Sequence, residues 1–171
     1  MTRASEPFRR HDECTVFVAG FPEEVFAFAD DHSRFSAHMS ASSWMMLGSK
    51  MTTATDAERG QEVGSHITMT GNVLGFQLSL DEIVVERIPP WEKAWKTVGT
   101  PRLLVIGAYC MGFRVLRHDR GSAFTVFIDY EMPAQLRWLG ILFGAMYARW
   151  CVRQMAIGVE RHFGRSEGVS A

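Results

Sequence analysis

Few side chains in this sequence are placed for acid/base, nucleophilic or metal chemistry, and each of them has a plain structural alternative. Asp129 and Glu131 lie two apart, the spacing that puts a carboxylate pair on one face of a strand, as an acid/base dyad requires. They alternate with Phe124, Val126, Ile128, Tyr130 and Met132, so the pair is expected to face outward into solvent. His66 could serve as a general base or a ligand contact, but it shares its strand face with Thr68 and Thr70, opposite Ile67 and Met69, which points to the solvent side. The six histidines, His11, His32, His38, His66, His118 and His162, show no zincin-like spacing. No Ser-His-Asp order and no phosphate-cradling glycine loop occurs, and neither a metal nor a cofactor is expected.

Tyr130, on the apolar face of its strand, is the best polar handle, because a buried hydroxyl needs a partner. Arg114 beside Phe113 and Gln154 near the C-terminus are weaker candidates. Buried, either would be costly alone, and a ligand carboxylate or carbonyl could be its partner. Cys14, Cys110 and Cys151 are widely spaced, odd in number and without a CxxC, so neither a zinc site nor a disulfide framework is signalled. Each sits among apolar residues and reads as a small buried hydrophobe rather than a reactive thiol. The N-terminal residues carry charges with no apolar stretch behind them, which is not a secretory signal, and a reducing cytoplasm is the expected compartment.

The strands and helices that carry these side chains form one domain. A chain of 171 residues, 47% hydrophobic and 22% charged, is long enough to bury a core and ordinary for a soluble globular protein. A net charge of −1 offers no electrostatic reason to expect nucleic acid or an anionic membrane as partner, and no aromatic-basic stripe suits a single-stranded nucleic acid. Trp138 to Ala148 is uncharged but falls short of the roughly 20 residues needed to cross a bilayer, so it reads as a buried helix. Its Gly140 and Gly144, four apart, would allow close approach to a sheet or leave room for a ligand.

Residues 1–12 read as a polar, poorly ordered arm, 13–164 as the folded domain and 165–171 as a frayed tail. Thr15–Ala19 is a first strand; Pro22–Asp30 is a helix, with Pro22 at its first position and Glu23 and Glu24 at the positive end of its dipole. Val25, Phe26 and Ala29 form its buried side. A second short helix is expected near Ser33–Met39 and a strand around Ser49–Thr53. Strands follow at Val63–Thr70, then from Leu74 to the break at Pro89-Pro90, with Gly71-Asn72 as a hairpin turn between them. Three more are expected at Trp91–Val98, Leu103–Leu116 and Phe124–Met132, the last two joined by a turn at His118–Gly121. A last helix from Pro133 to Phe163, capped by Gly164, presents Leu139, Phe143, Met146, Trp150 and Ile157 as its apolar stripe.

The opening from Val16 through Gly20-Phe-Pro-Glu-Glu-Val-Phe26 to Asp31 resembles the first strand and helix of the START-like superfamily (SRPBCC). That group includes pollen allergens, lipid-transport domains and polyketide cyclase/dehydrase-type proteins. Met69–Gly75, the Glu86–Trp91 break and the final helix extend the resemblance over residues 14–163. It implies an α+β helix-grip fold: a curved antiparallel β-sheet wrapped around a long C-terminal helix, with two short helices after the first strand and a cavity between sheet and helix.

The expected cavity wall is Leu78, Tyr109, Met111, Phe113, Tyr130, Phe143, Met146 and Trp150, with Gln154 helping Tyr130 to orient a ligand; the alternative is that these residues fill a solid core. Ten methionines would make an adaptable lining. The expected partner is a small hydrophobic molecule such as a lipid, quinone or polycyclic compound, bound or transported. Two other readings stay open. One is a cyclase/dehydratase-type enzyme using the same cavity, and the other is a protein-interaction module or homodimer using the apolar last helix.

Overall fold

The structure, a computed structural model, describes residues 8, 10–35, 51–73, 76–134 and 137–164. The expected arm up to residue 7, the far part of the second helix, residues 44–50, Leu74-Gly75 and the tail from residue 165 lie outside them. Among the described residues, seven strands form one antiparallel sheet. They are β1 (Arg10–Val18), β2 (Met51–Thr55), β3 (His66–Val73), β4 (Phe76–Ile88), β5 (Glu92–Arg102), β6 (Tyr109–His118) and β7 (Gly121–Tyr130). The order β1-β7-β6-β5-β4-β3-β2 brings the first strand beside the last, with Arg10 opposite Tyr130 and Val18 opposite Ser122.

Strand β1 starts at Arg10, so Arg10, His11 and Asp12 are paired backbone rather than part of an arm. Gly71 and Asn72 are paired too, opposite Leu78 and Gln77, so they belong to the strand rather than to the turn expected there. The long apolar run from Leu103 divides: residues 103–108 are irregular, and only Tyr109–His118 forms β6. Its turn into β7 stands where expected, with His118 opposite Gly121 and Asp119 at φ 44°.

Two short helices, α1 (Pro22–Asp30) and α2 (His32–Phe35), cross one end of the sheet. Pro22 stands at the first helical position, where a missing N–H costs nothing, and the Phe21 N–H donates to Glu24 Oε2 at 3.1 Å. Val25, Phe26 and Ala29 are buried, the side the sequence marks. The last helix, α3, runs as Arg137–Leu139, a π-helical stretch Gly140–Gly144, and Ala145–Phe163. Pro133 lies before it, buried but not helical. Gly164 ends it, at φ 76° with its N–H donating to the Glu160 carbonyl at 2.9 Å.

The buried face of α3 consists of small or slender residues: Gly140, Gly144, Ala148, Cys151, Val152, Met155, Ala156 and Val159. A Cβ on Gly140 would come within 2.5 Å of the Pro133 ring, and one on Gly144 within 2.9 Å of the Val105 carbonyl. These two positions demand glycine because the helix start lies directly on neighbouring backbone and ring atoms. The helix start therefore sits close against Pro133 and the 103–108 segment, and the larger apolar side chains of the expected stripe are turned one position away.

Candidate functional site

Between the sheet and α3 the core divides into two parts. Next to α1 and α2, Phe26, Phe35, Trp95, Phe113 and Phe124 pack edge-on or tilted, with ring centres 5.4–6.5 Å apart. A buried charge cluster pins α1 to this part. Lys93 Nζ donates to Asp30 Oδ1 at 2.7 Å and to the Asp30 carbonyl at 2.9 Å, and Arg87 donates to Asp30 Oδ2 at 2.8 Å. Burial lowers the Lys93 pKa and Asp30 opposes that shift, so both cations depend on the one Asp30 carboxylate.

Beside this cluster, and sharing Trp95 with it, lies a cavity of about 40 Å³. Met69 and Leu80 come from β3 and β4, Met111 and Ile128 from β6 and β7, Leu103 and Ile106 from the irregular segment, and Tyr147, Cys151 and Met155 from α3. Its polar wall is Glu82, Tyr109 and His32. Glu82 continues the inward register of Leu78 and Leu80 on β4 and is only 1% exposed. Burial raises its pKa from 4.5 to about 7, with the neighbouring Tyr109 and Trp95 opposing the shift and Asp81 adding to it.

The Tyr109 hydroxyl donates to Glu82 Oε1. That assignment leaves Oε2 to carry the acid proton. Oε2 has no hydrogen-bond partner among the described residues and lies 3.9 Å from His32 Nε2. The His32 ring stands edge-on to Trp95, 5.2 Å between centres. Burial drives the Tyr109 and Tyr147 hydroxyls well above their ordinary range and the Cys151 thiol up to about 12, so all three are neutral. With its pKa raised to about 7, Glu82 can exchange a proton near neutrality. As a neutral acid it can donate a hydrogen bond to a ligand oxygen, and as a carboxylate it can accept a proton from one.

No protein-family model matches the sequence, and no curated protein does. Solved structures match over nearly all of it. The Zhui aromatase/cyclase from Streptomyces sp. R1128 superposes with a TM-score of 0.59 at 15% identity, covering 94% of this chain and 99% of that one. Truncated norcoclaurine synthase from Thalictrum flavum gives 0.57 at 13%, covering 92% and 94%. The ginseng major latex-like protein 151 from Panax ginseng gives 0.55 at 13%, covering 91% and 97%. The chain shares with these structures the helix-grip fold, an antiparallel sheet with a long C-terminal helix. At these identities the likeness establishes the fold alone.

Within this helix grip the residues singled out in the sequence separate. Tyr109 and Met111 line the cavity. Leu78 and Phe113 are buried in the core, Phe113 within the aromatic cluster, and neither reaches the cavity. Tyr130 is buried, but its hydroxyl donates to Asp12 Oδ2 at 3.2 Å near the sheet edge, so it orients nothing in the cavity. Trp150 packs partly buried against the core, 5.9 Å from the Tyr147 ring, and Gln154 is half-buried; neither lines the cavity. Phe143 and Met146 point outward at 41% and 45% exposure. The smaller residues beside them take the inward face, because only they let the helix approach.

Asp129 and His66 face solvent as their alternation requires; Asp129 accepts from His11 Nδ1 at 2.8 Å and His66 lies 3.1 Å from Asp81. Arg114 lies over the Phe127 ring, 4.8 Å from its centre, outside the cavity. His32 and Glu82 were not among the expected site residues. For Glu82 a signal exists: an acid at an apolar position of the period-two pattern Leu78, Leu80, Glu82, Val84. For His32 no local signal exists, since its position depends on how α2 crosses the sheet.

Proposed function

We propose that the protein binds a small, largely apolar molecule carrying one oxygen, with its apolar body in the cavity and its oxygen on the Glu82 carboxyl. The observation that carries this reading is a buried acid in an apolar wall with one oxygen left unbonded among the described residues. A buried polar atom without a partner costs about 1–3 kcal/mol, and a ligand hydroxyl or carbonyl would supply the missing bond. Apolar contact adds about 25 cal/mol per Å² removed from water. At about 40 Å³ the cavity admits the centres of a few waters. A ring-sized ligand would displace the flexible Met69, Met111 and Met155 side chains. We place this activity in the reducing cytoplasm, in keeping with three cysteines free of disulfides.

The Glu82 pKa of about 7 also favours a second reading, the cyclase/dehydratase type, in which Glu82 moves a proton to or from the bound oxygen compound. Native mass spectrometry of the purified protein, with extraction and identification of what is bound, tests the first reading. A near-stoichiometric oxygenated apolar compound supports it; a protein that carries nothing and binds no hydrophobic probe contradicts it. Turnover of the extracted compound that disappears in Glu82→Gln while binding persists would establish the second.

A further inference from the structure

The outward side of α3 contrasts with its cavity side. Trp138, Ile141, Leu142, Phe143 and Met146 are between 41% and 65% exposed and recur at helical spacing over the first turns. Exposed Arg137 precedes this stripe, and exposed Arg149 and Arg153 follow it. From Arg137 to Val159 the helix holds no acidic residue, so a chain of net charge −1 still presents a locally cationic face. Two acids lie close by. Asp12 accepts from Arg149 Nε at 2.9 Å, and exposed Glu131 stands in the segment before the helix.

We propose that this face docks on an anionic phospholipid surface, with the helix lying in the plane of the interface. Exposed apolar side chains on one stripe flanked by arginines are what such a surface takes: the apolar groups enter the acyl boundary and the arginines meet phosphates. Trp138 sits at the junction of the charged and apolar parts, the place where an indole favours a membrane interface. Among the described residues no helix is long and apolar enough to cross a membrane, so the contact is interfacial. A second copy of the chain fits less well. Two-fold packing of the stripe would bring Arg137 against the second copy's Arg149 with no acidic residue on the helix face between them. Docking would also set the helix that carries Tyr147, Cys151 and Met155 of the cavity wall against the bilayer.

Flotation of the full chain with phosphatidylcholine vesicles, with and without phosphatidylglycerol, tests this. The protein should float with the phosphatidylglycerol vesicles and be released by salt. Ile141→Ser combined with Leu142→Ser should weaken binding by about tenfold or more. Arg137→Gln combined with Arg153→Gln should remove the dependence on phosphatidylglycerol. All four side chains are exposed, so thermal melting should be unchanged in both variants, separating lost docking from lost folding. Absence of flotation with either vesicle would overturn the proposal. So would a dimer in sedimentation velocity that Ile141→Ser/Leu142→Ser dissociates, since the second copy would then be what covers this face.

Discussion

The two ends of the core solve the same packing problem in opposite ways. Beside α1 the sheet is filled by five aromatic rings, and the buried Lys93 and the half-buried Arg87 both bond the buried Asp30 carboxylate. Around the cavity, methionine, leucine and isoleucine side chains join Trp95, Tyr109 and Tyr147, and the buried acid Glu82 keeps one oxygen without a hydrogen-bond partner among the described residues. Rigid rings and closed ion pairs suit a region whose task is to hold shape. Thioethers and an unspent hydrogen bond suit one that must accommodate another molecule. Burial alone therefore does not mark a site. What marks it is burial with a polar group left incomplete.

Opening the closed end should have the largest effect. Asp30→Ala strands Lys93 and Arg87 without their carboxylate and should cost about 3–5 kcal/mol in denaturant unfolding. Lys93→Met in the same background should restore much of the loss, because a buried unpaired charge is the source of it.

At the open end the effect is a pH dependence. The folded pKa of Glu82 is raised above its ordinary 4.5 to about 7, so folding favours the neutral acid. That stabilisation is complete below about pH 4.5, declines as pH rises toward 7, and is lost above it, a swing of about 3 kcal/mol. Glu82→Gln should flatten this part of the stability profile and leave the variant more stable than wild type at alkaline pH. Equal slopes in both proteins would mean that Glu82 is solvated.

Met155→Ala separates packing from ligand binding at the same end. It should cost about 2–4 kcal/mol of stability yet raise affinity for a small aromatic probe by enlarging the cavity. Phe143→Ser should change stability by less than about 0.5 kcal/mol, because its ring lies on the outward side of α3. A large loss there would restore Phe143 to the cavity wall where the sequence places it.

The fold was legible because its signals are local. Pro22–Asp30 shows its helix bounds, and β7 shows its period of two from Phe124 to Tyr130. The cavity lining is legible only where it lies on such a strand, as Tyr109 and Met111 do. The phase of α3 is not legible because large apolar residues draw an amphipathic stripe to themselves, whereas the inward face is taken by Gly140, Gly144 and Ala148, the glycines lying against Pro133 and the Val105 carbonyl. Tyr130 was misjudged because Asp12, the partner of its hydroxyl, lies at the start of a strand expected to begin later. The meeting of His32 with Glu82 joins residues fifty positions apart through tertiary packing, which no spacing records.

Everything proposed for the cavity turns on neutral Glu82 holding a ligand oxygen inside an apolar wall. Acetophenone, one aromatic ring with one carbonyl, is a probe of this chemistry that would enter by displacing the methionines, and its affinity should be titrated against pH in wild type and Glu82→Gln. Wild-type affinity is expected to fall as pH rises through about 7, where the donor is lost and a charge appears in the wall, with no such fall in Glu82→Gln. The same fall in both proteins, or no saturable binding at any pH, would contradict it.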